Sequence, residues 1–219
     1  MTQTEQIRLL KLLYQYRAMG FEYFKEYKPL NSKNTLLPKD FYSLEKIVSD
    51  CHLCNLSKTR KNVVFGEGNT NAKLMFVGEG PRTGEDERGK VFVGRAGDIV
   101  TNIIEKVLGL KREAVYIANI IKCRTPENRV PTMEEVSTCK PYLMQQIDMI
   151  KPDVIVALGS TSFHHLTGEY DISISSVRGE VLTLGDAKLI PTFCPYFLLR
   201  NPSSKKEVFQ DMLKVKSLL

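Results

Sequence analysis

Lys73-Leu-Met-Phe-Val-Gly78 is a short apolar run that ends in glycine and leads straight into Glu79-Gly80-Pro81. Its apolar residues are consecutive rather than alternating, which predicts a strand buried on both faces. Three later stretches read the same way: Ala114-Val-Tyr-Ile-Ala-Asn119, Asp153-Val-Ile-Val-Ala-Leu-Gly159 and Lys188-Leu-Ile-Pro-Thr-Phe193. Helical stretches separate them, at 97–108, 133–150 and 160–166, and a last helix spans 203–218. Pro131-Thr132 is a start signal for the longest of these. The segment from Arg178 to Leu184 reads as one arm of a hairpin. Buried strands alternating with helices predict an α/β fold, a three-layer α/β/α sandwich around a central four-stranded parallel sheet. Ligands of such sheets bind outside the carboxyl ends of the strands. Here those ends are Gly78 to Pro81, Asn119 to Cys123, Gly159-Ser160 and Cys194-Pro195, where polar, glycine and cysteine residues gather.

Two parts are expected around this pattern. Residues 1–40 form a leader, with a helix from Gln6 to about Tyr27 and then a polar linker from Lys28 to Lys39 containing two prolines and two asparagines. Residues 41–219 form the α/β body. The chain has 219 residues, 42% hydrophobic and 26% charged, as expected of a water-soluble protein with a full core. It contains no stretch with the length and apolarity of a membrane span and no secretory pattern at its start. A cytoplasmic monomer with reduced thiols is therefore expected. The net charge of +6 permits nucleic-acid binding without establishing it.

Four cysteines fall in two distant pairs. Cys51 and Cys54 form a C-x-x-C, and Cys123 and Cys139 follow far downstream. Two intervening residues let both thiolates of the first pair bind one metal centre, and the second pair completes a four-thiolate cage if the fold brings the segments together. Spacing alone leaves an iron–sulfur cluster and a structural zinc both open.

The body resembles the family 4 uracil-DNA glycosylases, the iron–sulfur branch of that superfamily. The resemblance runs from Leu44 to Leu219 and rests on pieces that occur in family order. They are Cys51-His-Leu-Cys54, Leu56-Ser-Lys-Thr-Arg60, Val64-Phe-Gly-Glu-Gly68 and Val77-Gly-Glu-Gly-Pro81. Then come Gly89-Lys-Val-Phe-Val-Gly-Arg-Ala-Gly97, Asn119-Ile-Ile-Lys-Cys-Arg124, Asn128-Arg129, Cys139-Lys-Pro141 and Pro195-Tyr-Phe-Leu-Leu-Arg-Asn-Pro202. The resemblance implies a 4Fe–4S cluster on Cys51, Cys54, Cys123 and Cys139, which orders DNA-contacting structure rather than performing hydrolysis. It implies DNA containing uracil or another deaminated base as the partner, single- or double-stranded.

Cleaving an N-glycosidic bond requires the base out of the helix. The sugar becomes oxocarbenium-like and the base leaves as an anion, so the site must hold a flat ring, read its edge, stabilise anionic oxygen and place a water. By resemblance Phe92 stacks on the base, and Asn119, whose amide both donates and accepts, reads its edge. The loop Glu79, Gly80, Pro81 holds the attacking water, with Gly80 allowing close backbone approach, and Asn128 joins the site. Glu85 and Asp86 either position water or belong to a surface charge run. Leu198, with Leu199, is expected as an apolar wedge in the duplex, and Arg82 and Arg200 as phosphate contacts. The sequence departs from the family in two places. Arg82 stands where a glycine usually follows the proline, and Cys194 stands where the family has a histidine that donates to uracil O2. A thiol is a weak donor. Slower uracil excision, another deaminated base, and DNA or lesion binding with little turnover are the three outcomes this leaves open. The chain has no basic insertion between Asn119 and Pro131, so no covalent adduct is expected.

Overall fold

A computed structural model describes residues 37–219. The expected leader helix and most of the linker lie outside these residues. The first element, α1 (Phe41–Ser49), is capped by Asp40, whose Oδ1 accepts the Ser43 N–H at 2.8 Å. Leu44 and Val48, four apart on one helical face, are buried against the body.

The strands are β1 (Glu67–Gly68), β2 (Leu74–Gly78), β3 (Tyr116–Asn119), β4 (Val154–Leu158), β5 (Leu182–Leu184) and β6 (Ala187–Thr192). They form one sheet in the order β1-β3-β2-β4-β6-β5. The inner four are parallel, with Gly78 opposite Asn119, Val77 opposite Ala157 and Leu158 opposite Thr192. These are the four strands expected from the apolar runs. The sheet is larger than that expectation by two short antiparallel edges, β1 on β3 and β5 on β6. Strands β5 and β6 form a hairpin, but the arm expected over 178–184 is strand only at Leu182–Leu184, Arg178 closing the helix before it; β1, two residues long, carries no pattern to read.

Alternate residues of the buried strands face opposite layers. Met75, Val77, Tyr116, Ala118, Ile155, Ala157 and Leu189 pack with α1 and with α4 (Met133–Ile150). Leu74, Phe76, Ile117, Val154, Val156 and Ile190 pack on the other side, with α3 (Gly94–Asn102) and α8 (Lys205–Ser217). Helix α3 runs on into a π-helical turn, Ile103–Leu108, so the expected helix over 97–108 begins three residues earlier and changes pitch midway. Helix α4 opens with a capping box: Thr132 Oγ1 accepts the Glu135 N–H, and Glu135 Oε2 accepts the Thr132 N–H. The remaining helices are α2 (Thr83–Arg88), α5 (Ser160–Thr167), α6 (Ile174–Val177) and α7 (Pro195–Arg200). Among the described residues no helix is long and apolar enough to cross a membrane.

Candidate active site

The carboxyl ends of β2, β4 and β6 open onto one cavity of about 330 Å³. That lies in the range of small-molecule sites, about 300–1,000 Å³. Glu79 and Gly80 enter it from the loop after β2, Thr161 from α5, and Cys194 and Tyr196 from the start of α7. Phe92 and Asn128 also line it.

Each side chain has a local reason for its place. Phe92 is buried and holds φ +45, a conformation uncommon for a side chain of that size. A Cβ on Gly97 would lie 1.9 Å from the Phe92 carbonyl oxygen, so the loop closes on that glycine. Glu79 Oε2 accepts the Thr161 hydroxyl at 2.5 Å, which fixes the carboxylate across the mouth of the sheet. Asn128 Oδ1 accepts Arg124 Nε at 2.9 Å and sits on the cavity wall. Pro81 is buried next to this loop. Gly80 lines the cavity, but its lack of a side chain serves packing: a Cβ there would lie 2.6 Å from Ile121 Cγ1. The expected close approach of backbone to ligand is therefore not the reason the structure gives for that glycine.

Asn119 stands just behind the wall rather than on it. It is 1% exposed, and its Nδ2 is buried with no hydrogen-bond partner. A buried donor left unmade costs about 1–3 kcal/mol. Its backbone oxygen accepts Lys122 Nζ at 3.0 Å, and the same ammonium donates to Gln146 Oε1 at 2.6 Å. Gln146 Nε2 in turn donates to the Phe65 carbonyl and to the Tyr116 hydroxyl. Burial draws the Lys122 ammonium down to about 8. This buried polar network was not anticipated; an isolated lysine beside an apolar strand gives no sign that it points inward.

Other expectations move. Leu198 is 1% exposed and packs in the core with Phe193 and Val208, so it is not a wedge in this arrangement; on α7 its side is the one turned to the sheet. Leu199 is half-buried and Arg200 exposed. Arg82, expected at a phosphate, lines the cavity, with its Cζ 4.3 Å from the centroid of the Tyr196 ring. Glu85 and Asp86 are both buried, not a surface run. Glu85 Oε2 accepts the Arg82 N–H, and burial raises the Glu85 carboxyl above its ordinary range. Asp86 Oδ1 accepts the N–H groups of Lys61 and Asn62, which pins the preceding loop. His164 and His165 stay outside the cavity, bound to the Ile172 carbonyl and the Tyr170 hydroxyl. Tyr196 and Thr161 were missed. Thr161 was within reach, since it lies two residues past Gly159 at a strand end already marked as a site.

The four paired cysteines line a second, small cavity with Arg60, Lys122 and Tyr142. Cys51 follows α1, Cys54 precedes a short turn, Cys123 lies beyond β3 and Cys139 sits within α4, so the fold brings both pairs to one place. Donors face the sulfurs. Arg60 Nη1 donates to Cys123 Sγ at 3.2 Å, the Lys122 N–H to Cys139 Sγ at 3.3 Å, and the Tyr142 hydroxyl to Cys51 Sγ at 3.6 Å. Such donors stabilise thiolates bound to metal. Among the described residues no three His, Cys, Asp or Glu side chains are grouped closely enough to hold a single ion. Cys194 is outside this cavity.

The cavity at the strand ends is thus walled by an aromatic ring and backed by a buried amide whose donor has no partner. A family model described as the uracil DNA glycosylase superfamily matches residues 65–215. The chain is 47% identical over 175 residues to the type-4 uracil-DNA glycosylase of Thermotoga maritima, covering 78% of this chain and 91% of that one. It is 43% identical over 179 residues to the type-4 enzyme of Saccharolobus solfataricus, covering 78% and 83%. The Sulfurisphaera tokodaii enzyme is 43% identical over 186 residues, covering 80% and 84%. The chain belongs to the type-4 uracil-DNA glycosylase family.

Proposed function

We propose that this chain removes uracil from DNA in repair, hydrolysing the N-glycosidic bond after the nucleotide has turned out of the strand. The observation that carries the reading is the buried Asn119 Nδ2 without a partner, behind a cavity walled by Phe92. Uracil offers O4 as acceptor to that amide and N3–H as donor to its oxygen. Phe92 stacks on the ring. The loop Glu79 to Pro81 holds the attacking water, with Thr161 fixing the Glu79 carboxylate. Asn128 closes the wall. Cys194, on the far loop, borders the leaving base.

One 4Fe–4S cluster on Cys51, Cys54, Cys123 and Cys139 completes the protein. The four thiols share one cavity, as a cluster on all four of them requires. The cluster braces the segments around Cys123, four residues from Asn119; it takes no part in the hydrolysis. Arg200, exposed at the end of α7, meets the phosphate backbone of single- or double-stranded DNA, and the protein acts as a monomer.

The test is uracil excision from single- and double-stranded oligonucleotides by the wild type beside Cys194→His. Release of free uracil supports the reading, and a gain in the substituted protein identifies the thiol as rate-limiting. Tight binding to the same oligonucleotides without any release overturns it. Arg200→Ala should weaken binding to all sequences alike and reduce the salt dependence.

A further inference from the structure

Among the described residues the cavity wall carries two basic side chains, Arg82 and Arg200, and neither a histidine nor a lysine. Arg200 is exposed. Arg82 is held from two sides. Its Cζ lies 4.3 Å from the centroid of the Tyr196 ring, and its Nη2 lies 4.0 Å from Glu79 Oε1. Both neighbours also line the cavity, and the Tyr196 ring stands nearly parallel to Phe92 at 6.5 Å. The Arg82 side chain is 35% exposed, open enough to meet a ligand in the cavity. Cys194 supplies no charge, because burial pushes its thiol up. A cavity holding the Glu79 carboxylate without a cation would repel a departing anion.

We propose that Arg82 is a catalytic residue whose guanidinium donates to O2 of the leaving base and stabilises the negative charge that develops there. The assignment rests on the uracil-excision reading above. The C1′–N1 bond breaks with its electron pair going to the base, where the charge spreads from N1 onto the ring oxygens. The oxygen of water bonds to C1′, its proton is taken up at Glu79, and one proton returns to the base. One water is consumed, and an abasic sugar and a neutral base result. Arg82 acts where charge appears, so its contribution falls on the chemical step rather than on DNA binding. Tyr196 orients the guanidinium by cation–π contact.

Single-turnover excision of uracil and of 5-fluorouracil from the same single-stranded oligonucleotide tests this, with wild type, Arg82→Gln and Arg82→Lys. 5-Fluorouracil leaves as a weaker base and needs less stabilisation. Arg82→Gln should slow uracil release on the order of 100-fold, slow 5-fluorouracil release much less, and leave DNA affinity within about threefold. Arg82→Lys should keep an intermediate rate, which separates charge from packing. Equal losses on both bases, or a loss found wholly in DNA affinity with a changed salt slope, would overturn the assignment while leaving the excision reading intact. A wild type that releases neither base would overturn both.

Discussion

Phe92 and Asn119 meet over the Cα of Gly78: a Cβ placed there would lie 2.3 Å from Asn119 Oδ1 and 2.7 Å from Phe92 Cζ. The end of β2 therefore has to be glycine for the two groups expected to handle the base to approach each other. Gly78→Ala should displace one or both. The backbone itself is ordinary strand, so folding should survive. We expect uracil excision to fall on the order of 100-fold, with a melting temperature close to wild type. Unchanged excision by a folded Gly78→Ala protein would mean that the contact between the two residues has no bearing on the reaction.

Asn119→Asp probes the amide itself. The substitution keeps shape and removes the donor, and a carboxylate repels the leaving anion. Excision of uracil should fall on the order of 100-fold, and residual activity should shift toward cytosine, whose N4 amino group donates where uracil O4 accepts. Product analysis on oligonucleotides containing one uracil or one cytosine reads both effects. Wild-type uracil release from Asn119→Asp would place the reader of the base elsewhere.

The parts of the fold that could be read in advance are those with strong local signals. The four inner strands are continuous apolar runs, and α4 begins at the Pro131-Thr132 start signal. Strand β1 pairs through two residues only, so no periodicity marks it. The place of the cavity was legible from the strand ends, with Glu79 and Cys194 on its wall and Asn119 buried behind it. Side-chain direction was not. Leu198 and Leu199 are chemically alike neighbours on a helix of six residues, and nothing local says which of them turns inward. Arg82, in place of the family's glycine, reads as a phosphate contact or as pointing to solvent. Only the third dimension brings Tyr196, over a hundred positions later, beneath it.

A buried ion pair anchors the Cys194 loop. Asp211 is 2% exposed and accepts the Thr192 hydroxyl at 2.6 Å and Arg178 Nε at 3.1 Å, and it pairs with the Arg178 Nη2 as well. Thr192 ends β6, two residues before Cys194. Arg178→Met strands a carboxylate in the interior and should destabilise the protein by about 3 kcal/mol. Adding Asp211→Leu should recover much of that stability, because the unpaired charge is gone. Chemical denaturation of the single and double variants measures both, and a double variant weaker than Arg178→Met would show that packing rather than charge governs this corner.

The cysteine cage yields the prediction that reaches from metal to base. Cys123 lies one residue from Lys122, whose N–H donates to Cys139 Sγ and whose Nζ donates to the Asn119 carbonyl. The proposed cluster on Cys51, Cys54, Cys123 and Cys139 would therefore brace the same turn that carries Asn119. Protein purified without oxygen should be brown and carry about four irons per chain. Cys139→Ser should lose iron and colour, and its excision rate should fall with the loss, because the turn loses its brace. Cys194→Ser should keep both iron and colour, since that thiol lies on the other cavity. Removing iron from the wild type with a chelator and oxidant should lower the melting temperature and the excision rate together, if the proposed cluster supports the turn that carries Asn119. Stoichiometric zinc with no iron would sink the cluster assignment. Full excision by iron-free protein would break the proposed link from cage to pocket while leaving the pocket itself in place.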